Sequence, residues 1–87
     1  MAGLLHLWEE GAHGLRRSFL FSSFTAGISF VNDVAAVAEN QHHHPHVTVD
    51  YTCVTLTVNT HDAGGAVTAK DHKLASAVDA LYLALKD

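Results

Sequence analysis

Two alternating runs, Val47-Thr48-Val49-Asp50-Tyr51 and Val54-Thr55-Leu56-Thr57-Val58, lie almost end to end in this chain. Both are rich in β-branched side chains, which suit a pleated, half-buried surface. Their closeness predicts an antiparallel hairpin turning near Asp50 to Cys53. No Asn-Gly or Asp-Gly pair marks the turn, so one continuous strand with a bulge is the competing reading. Whatever else the chain does, it must build a sheet around these residues.

The remaining elements follow from periodicity. Leu15, Arg17, Phe19 and Phe21 share a face at period 2, which predicts a second strand. Ser22-Ser23 supplies helix N-cap candidates. Apolar or small residues then recur at 24, 27, 28, 31, 34, 35 and 38, widened by Phe30 and Val37, which predicts an amphipathic helix ending near Asn40 or Gln41. Pro45 prevents that helix from running on, because the residue before a proline is pushed out of the α region. Asp62-Ala63-Gly64-Gly65 reads as a loop. Thr68-Ala69-Lys70-Asp71 reads as a capping box opening a last helix with Leu74, Val78, Leu81 and Leu85 on one face. Leu4-His6-Trp8 reads as a short first strand, expected to pair with residues 15–21 through a loop containing Gly11 and Gly14. The order strand-strand-helix-strand-strand-helix predicts an α+β two-layer sandwich, a four-stranded antiparallel sheet with helices packed on one face. One domain spans 1–87, with no repeat and no linker.

Composition narrows the function classes. A formal charge of -4 with only five Lys plus Arg leaves no basic stripe for nucleic acid beyond Arg16-Arg17. The apolar start meets Glu9-Glu10 without a cationic region before it, unlike a signal peptide, and no run reaches the ~20 apolar residues of a membrane span. A single cysteine, Cys53, permits no intrachain disulfide and fits a reducing compartment, so a soluble cytoplasmic protein is expected. Charged residues are only 16% of the chain, against about 25% in a typical domain, so part of the surface is expected to face another subunit.

Eight histidines in 87 residues are the conspicuous feature, and four of them fall in Ala38-Glu39-Asn40-Gln41-His42-His43-His44-Pro45-His46. Three readings stay open for that run. A metal site is one, but HExxH, CxxC and paired i,i+4 histidines are all absent. A solvated loop between helix and strand is the second, and His6, His13, His46 and His72 suit it individually. Acid/base catalysis is the third, since imidazole gives and takes protons near neutrality. His61 closes a later strand, and in a small antiparallel sheet it can converge with the histidine run. Imidazoles lining a cleft without a strong nucleophile suit dehydration or tautomerisation. Cys53 reads as a packing residue.

The same residues resemble the pterin-4a-carbinolamine dehydratase family. Its pattern is met by Glu39, His43, His44, Pro45, Tyr51, His61 and Asp71 in order and spacing. Phe19-x-Phe21-x-x-Phe24, Phe30-x-x-x-Val34-Ala35-x-x-Ala38-Glu39, Thr60-His61-Asp62-x-Gly64-Gly65 and Leu74-Ala75 extend the likeness over roughly residues 4–85. His42 and His46 stand where other members usually carry different residues.

The resemblance implies dehydration of 4a-hydroxytetrahydropterin to quinonoid dihydropterin in tetrahydrobiopterin recycling, hence a hydro-lyase. It implies no metal and no cofactor, a small-molecule pterin substrate, and a homodimer or homotetramer with sheets joined across the dimer interface. It assigns catalysis to His43, His44 and His61. Glu39, Pro45, Tyr51 and Asp62 are its substrate contacts, although a half-buried strand position also accounts for Tyr51. For Asp71 helix capping is the favoured role. The alternative function is a non-catalytic dimerisation or assembly cofactor on the same fold; retention of all three imidazoles favours the enzyme.

Overall fold

The computed structural model describes residues 7–86. In chain order these form β1 (Glu9–Gly11), β2 (Gly14–Leu20), α1 (Phe24–Gln41), β3 (His46–Asp50), β4 (Cys53–Val58), a 3-10 turn (His61–Ala63) and α2 (Ala69–Lys86). All neighbouring strands are antiparallel, in the sheet order β1-β2-β4-β3. The two alternating runs form the expected hairpin rather than one bulged strand. Asp50 lies opposite Cys53, and the two-residue turn between them opens on Tyr51 at φ 55°.

Strand alternation sorts the side chains. Leu15 and Phe19 of β2, and Val54, Leu56 and Val58 of β4, point to one face and are buried. Both helices cover that face, contributing Phe30, Val34 and Ala38 from α1 and Leu74, Ala75 and Val78 from α2 to the same cluster. The opposite face carries Arg16, Ser18, Thr48 and Thr55 and is not covered by either helix, with Ser18 and Thr55 hydroxyls 2.9 Å apart.

Three details differ from the sequence reading. The buried stripe of α1 is centred on Gly27, Phe30, Val34 and Ala38, leaving Ala35 exposed and Phe24 55% exposed. At Gly27 the helix backbone lies close against Val54 and the Phe21 ring: a Cβ there would lie 3.3 Å from Val54 Cγ2. Leu85 is 51% exposed, because the last turn of α2 has no core neighbours. Of the expected strand Leu4-His6-Trp8, the first two residues lie outside the described part, and β1 begins only after Trp8. Trp8 is instead a buried anchor whose indole N–H donates to both oxygens of Asp79, at 2.9 and 3.0 Å. Arg17, on the apolar face of β2, also donates to Asp79, at 2.6 Å, and stacks over the Phe19 ring. A buried carboxylate needs such partners, since an unpaired one is costly to desolvate.

Gly14 takes φ 119°, and a Cβ there would sit 2.1 Å from the Val58 carbonyl oxygen. Backbone on one side and an unfavourable φ on the other leave no relaxation path. Gly14→Ala should therefore cost at least about 2 kcal/mol of stability, read as a lower urea midpoint.

Candidate active site

The four-histidine run is divided by its backbone. α1 ends in a Schellman-type cap with His42 in the left-handed region at φ 53°. The His42 amide donates to the Glu39 carbonyl at 3.2 Å and the His43 amide to that of Ala38 at 3.0 Å. Pro45 then holds the chain extended, and β3 starts at His46. The run thus turns a corner between helix and strand.

β4 returns antiparallel to β3, with Thr57 opposite His46, so its end brings Asn59, Thr60 and His61 to the same rim. The first turn of α2 closes the site from below. One cavity of about 490 Å³ results, lined by His42, His43, His44, Pro45, His46 and His61 together with Thr57, Asn59, Thr60 and Lys70. No acidic side chain lines it among the described residues.

Beneath the cavity lies Asp71, fully buried. The capping box forms as expected: the Thr68 amide donates to Asp71 Oδ2 at 2.8 Å, and the Thr68 hydroxyl accepts from the Lys70 amide at 3.3 Å. Capping is not its whole role, however. Asp71 Oδ1 is 2.6 Å from His43 Nε2, and the Thr60 hydroxyl donates to Oδ2 at 2.8 Å. Local sequence could not disclose this, because His43 and Thr60 reach Asp71 only through the packing of α1 and β4 on α2. Burial pushes the Asp71 carboxyl pKa up. The bonds from His43, the Thr68 amide and Thr60, with the charge of His43, outweigh that and hold it below the usual aspartate value. An ionised Asp71 accepts only, so His43 Nε2–H is the donor and Nδ1 is the ring nitrogen left for a ligand.

Glu39 is placed outside the cavity lining, with Oε2 2.6 Å from His44 Nε2. Both side chains are exposed, so the pair adds little stability and its effect is to orient the ring. Pro45 forms part of the wall. Asp62 belongs by its backbone to the 3-10 turn after Thr60; its side chain lies outside the described residues. The expectation of a half-buried strand position for Tyr51 is corrected. Tyr51 begins the hairpin turn, is 84% exposed, and lies at the far end of β3 from the cavity of its own chain. The reason is direction: β3 leaves the site at His46, so its other end cannot return to it.

His46, which suited a solvated loop, lines the cavity with its neighbour His42, as do Thr60 and Lys70, which the sequence did not assign to the site. The adjacency of Thr60 to His61 was the available signal for the former. Cys53 is half-buried at the start of β4, with its thiol free. Among the described residues, no group of three or more His, Cys, Asp or Glu side chains has the arrangement of a metal site, and no helix is long and apolar enough to cross a membrane.

The fold and site together define a small α+β protein with a histidine-lined polar cavity at one end of its sheet. Comparison with known proteins makes the class specific. Residues 1–81 match the family model described as "Pterin 4 alpha carbinolamine dehydratase". A Gloeobacter violaceus protein named "Putative pterin-4-alpha-carbinolamine dehydratase 2" is 46% identical over 69 residues, covering 79% of this chain and 74% of that protein. A like-named Koribacter versatilis protein is 38% identical over 92% of this chain and 84% of its own length. Among solved structures, a transcriptional coactivator/pterin dehydratase from Brucella melitensis superposes with a TM-score of 0.83 at 30% identity, over 93% of this chain and 87% of that one. A pterin dehydratase-like protein described as a RuBisCO assembly factor in the alpha-carboxysome gives 0.74 at 26% identity, over 88% and 90%. The chain belongs to the pterin-4α-carbinolamine dehydratase family.

Proposed function

We propose that this chain is a catalytic member of that family, a hydro-lyase that dehydrates 4a-hydroxytetrahydropterin in tetrahydrobiopterin recycling. The observation that carries this reading is the meeting of His43, His44 and His61 in one cavity, with His43 held on the buried Asp71. A volume of about 490 Å³ is within the usual range for small-molecule sites and leaves room for a bicyclic ring.

Dehydration breaks the C4a–O bond and removes the N5 proton, leaving a C4a=N5 double bond and water. Two proton transfers are needed. Asp71 orients His43 through Nε2 and sets a negative charge against the positive charge that forms when Nδ1 takes the N5 proton. His43 is therefore the base. His61, across the cavity, is the acid that protonates the departing oxygen. His44, oriented by Glu39, is assigned to binding the pterin, with Pro45 as wall. General acid/base help of this kind typically contributes 10²–10⁴-fold. The free Cys53 accords with a reducing, cytoplasmic setting.

The test is direct: the ultraviolet decay of the 4a-carbinolamine with and without purified protein. Catalysed decay that survives EDTA is expected. Loss of activity in EDTA with rescue by zinc would favour a metal mechanism, and no catalysis at all would leave the assembly role suggested by the carboxysomal relative.

A further inference from the structure

Proton transfer and ring positioning, as assigned, use His43, His61 and His44. Three basic groups of the same cavity have no part in either: His42, His46 and Lys70. A neutral bicyclic ring asks for apolar walls and a few convergent polar groups, not for a surplus of basic ones. Lys70 stands out by its place. It is the second residue of α2, at the end of the helix where the aligned peptide dipoles repel a cation. Among the described residues its ammonium meets no carboxylate. The adjacent Asp71 does not neutralise it, because that carboxylate is buried and bonded to His43, Thr60 and the Thr68 amide. Glu39 is likewise held on His44, outside the cavity lining.

The cavity therefore presents one ammonium and five imidazoles, with no acid lining it among the described residues. A lysine offers three N–H donors and a compact charge, which suit a phosphate or a carboxylate. Imidazoles add N–H donors when neutral and charge when protonated. The place of Lys70 also says which part of a substrate it would meet. Lys70 directly precedes Asp71, on which His43 rests, and His43 is the group assigned to the pterin N5. In a pterin, C6 is bonded to N5 and carries the side chain. A group on C6 thus extends from the part of the cavity that Lys70 borders.

We propose that the cavity selects pterins whose C6 side chain ends in an oxyanion, a phosphate monoester or a carboxylate, and that the Lys70 ammonium holds that oxyanion, in a wall to which His42 and His46 add N–H groups. The inference rests on the reading of the cavity as a pterin site and adds the class of side chain that the site prefers. It accounts for a cation placed against the helix dipole and for imidazoles beyond those that the dehydration uses.

Substrate competition tests this. The 4a-carbinolamines of three tetrahydropterins are compared: one with a neutral dihydroxypropyl side chain, one with the same chain ending in a phosphate ester, and one with a chain ending in a carboxylate. For wild type, kcat/KM should be at least about 10-fold higher with an anionic tail, the size expected of one hydrogen bond to a charged group. Lys70 is exposed, so the preference should shrink as salt is raised. Lys70→Gln should abolish it, Lys70→Arg should keep it, and Lys70→Glu should reverse it. The ratio between substrates is the readout, so a general loss of activity or of folded protein cancels. The better of the two tails identifies the oxyanion. Calorimetry with the matching 7,8-dihydropterins, which carry no 4a-hydroxyl to lose, reads the same preference without turnover. Equal treatment of neutral and anionic tails by wild type overturns the proposal, as does a preference undiminished in Lys70→Gln. Wild type that binds the anionic dihydropterins preferentially but dehydrates none of the carbinolamines removes the catalytic reading and leaves this inference standing. Wild type that dehydrates all three alike removes this inference alone, and failure to bind any pterin removes both.

Discussion

His43→Ala should lower the rate of carbinolamine dehydration by about 10²-fold or more, with the fold intact by circular dichroism. The size follows from its position. Among the described residues, His43 is the only cavity imidazole bonded to a buried carboxylate, and Asp71 fixes both its tautomer and its orientation. His61→Ala should produce a comparable fall, because the proposed mechanism assigns one of the two protons to each. His44→Ala should act more on KM than on kcat, since the proposed role of the ring, oriented by Glu39, is to bind the pterin. Near-wild-type rates in both the His43 and His61 variants would remove the acid/base assignment.

Asp71→Asn is the second large effect, and it combines two losses. The buried carboxylate serves the α2 cap through Thr68 and the cavity through His43, with Thr60 bracing it. An amide cannot accept at every one of these contacts, so a stability loss of about 1–3 kcal/mol is expected, together with a marked fall in kcat. Acid stability separates the two roles. Folding holds the Asp71 pKa below its unfolded value, about 3.9. Its contribution is thus complete above that value and is lost as the pH falls through the folded pKa. Urea titrations from about pH 5 downward should show wild type losing stability more steeply than Asp71→Asn. Parallel curves would mean that Asp71 is not ionised as described. Thr60→Val, which keeps the volume but removes the hydroxyl bonded to both Asp71 and the Thr68 hydroxyl, should reproduce part of the kcat loss while the Thr68 amide still caps on Asp71.

Much of this architecture was legible beforehand, for reasons that particular residues show. The β3–β4 hairpin could be read because β-branched residues alternate on both sides of a very short gap. The end of α1 could be read because Pro45 forbids continuation. The Thr68–Asp71 cap could be read because both partners lie within one turn. Each of these depends on interactions a few residues apart. Where packing intervened, the reading shifted: the buried stripe of α1 centred on Gly27, Phe30, Val34 and Ala38, and Trp8 left the strand for the Asp79 carboxylate.

The candidate site divides along the same line. That imidazoles concentrate near a helix–strand corner and again after β4 is a property of the sequence alone, and so is the family they indicate. Which nitrogen of His43 is engaged, that Thr60 shares its carboxylate, that His42, His46 and Lys70 join the wall, and that Tyr51 is carried away from it were decided by tertiary structure. Helical and strand periods act over a few residues and leave their mark in local order. The meeting of residues 43, 60 and 71 depends instead on how two helices settle on one face of a twisted sheet, and no local pattern encodes that.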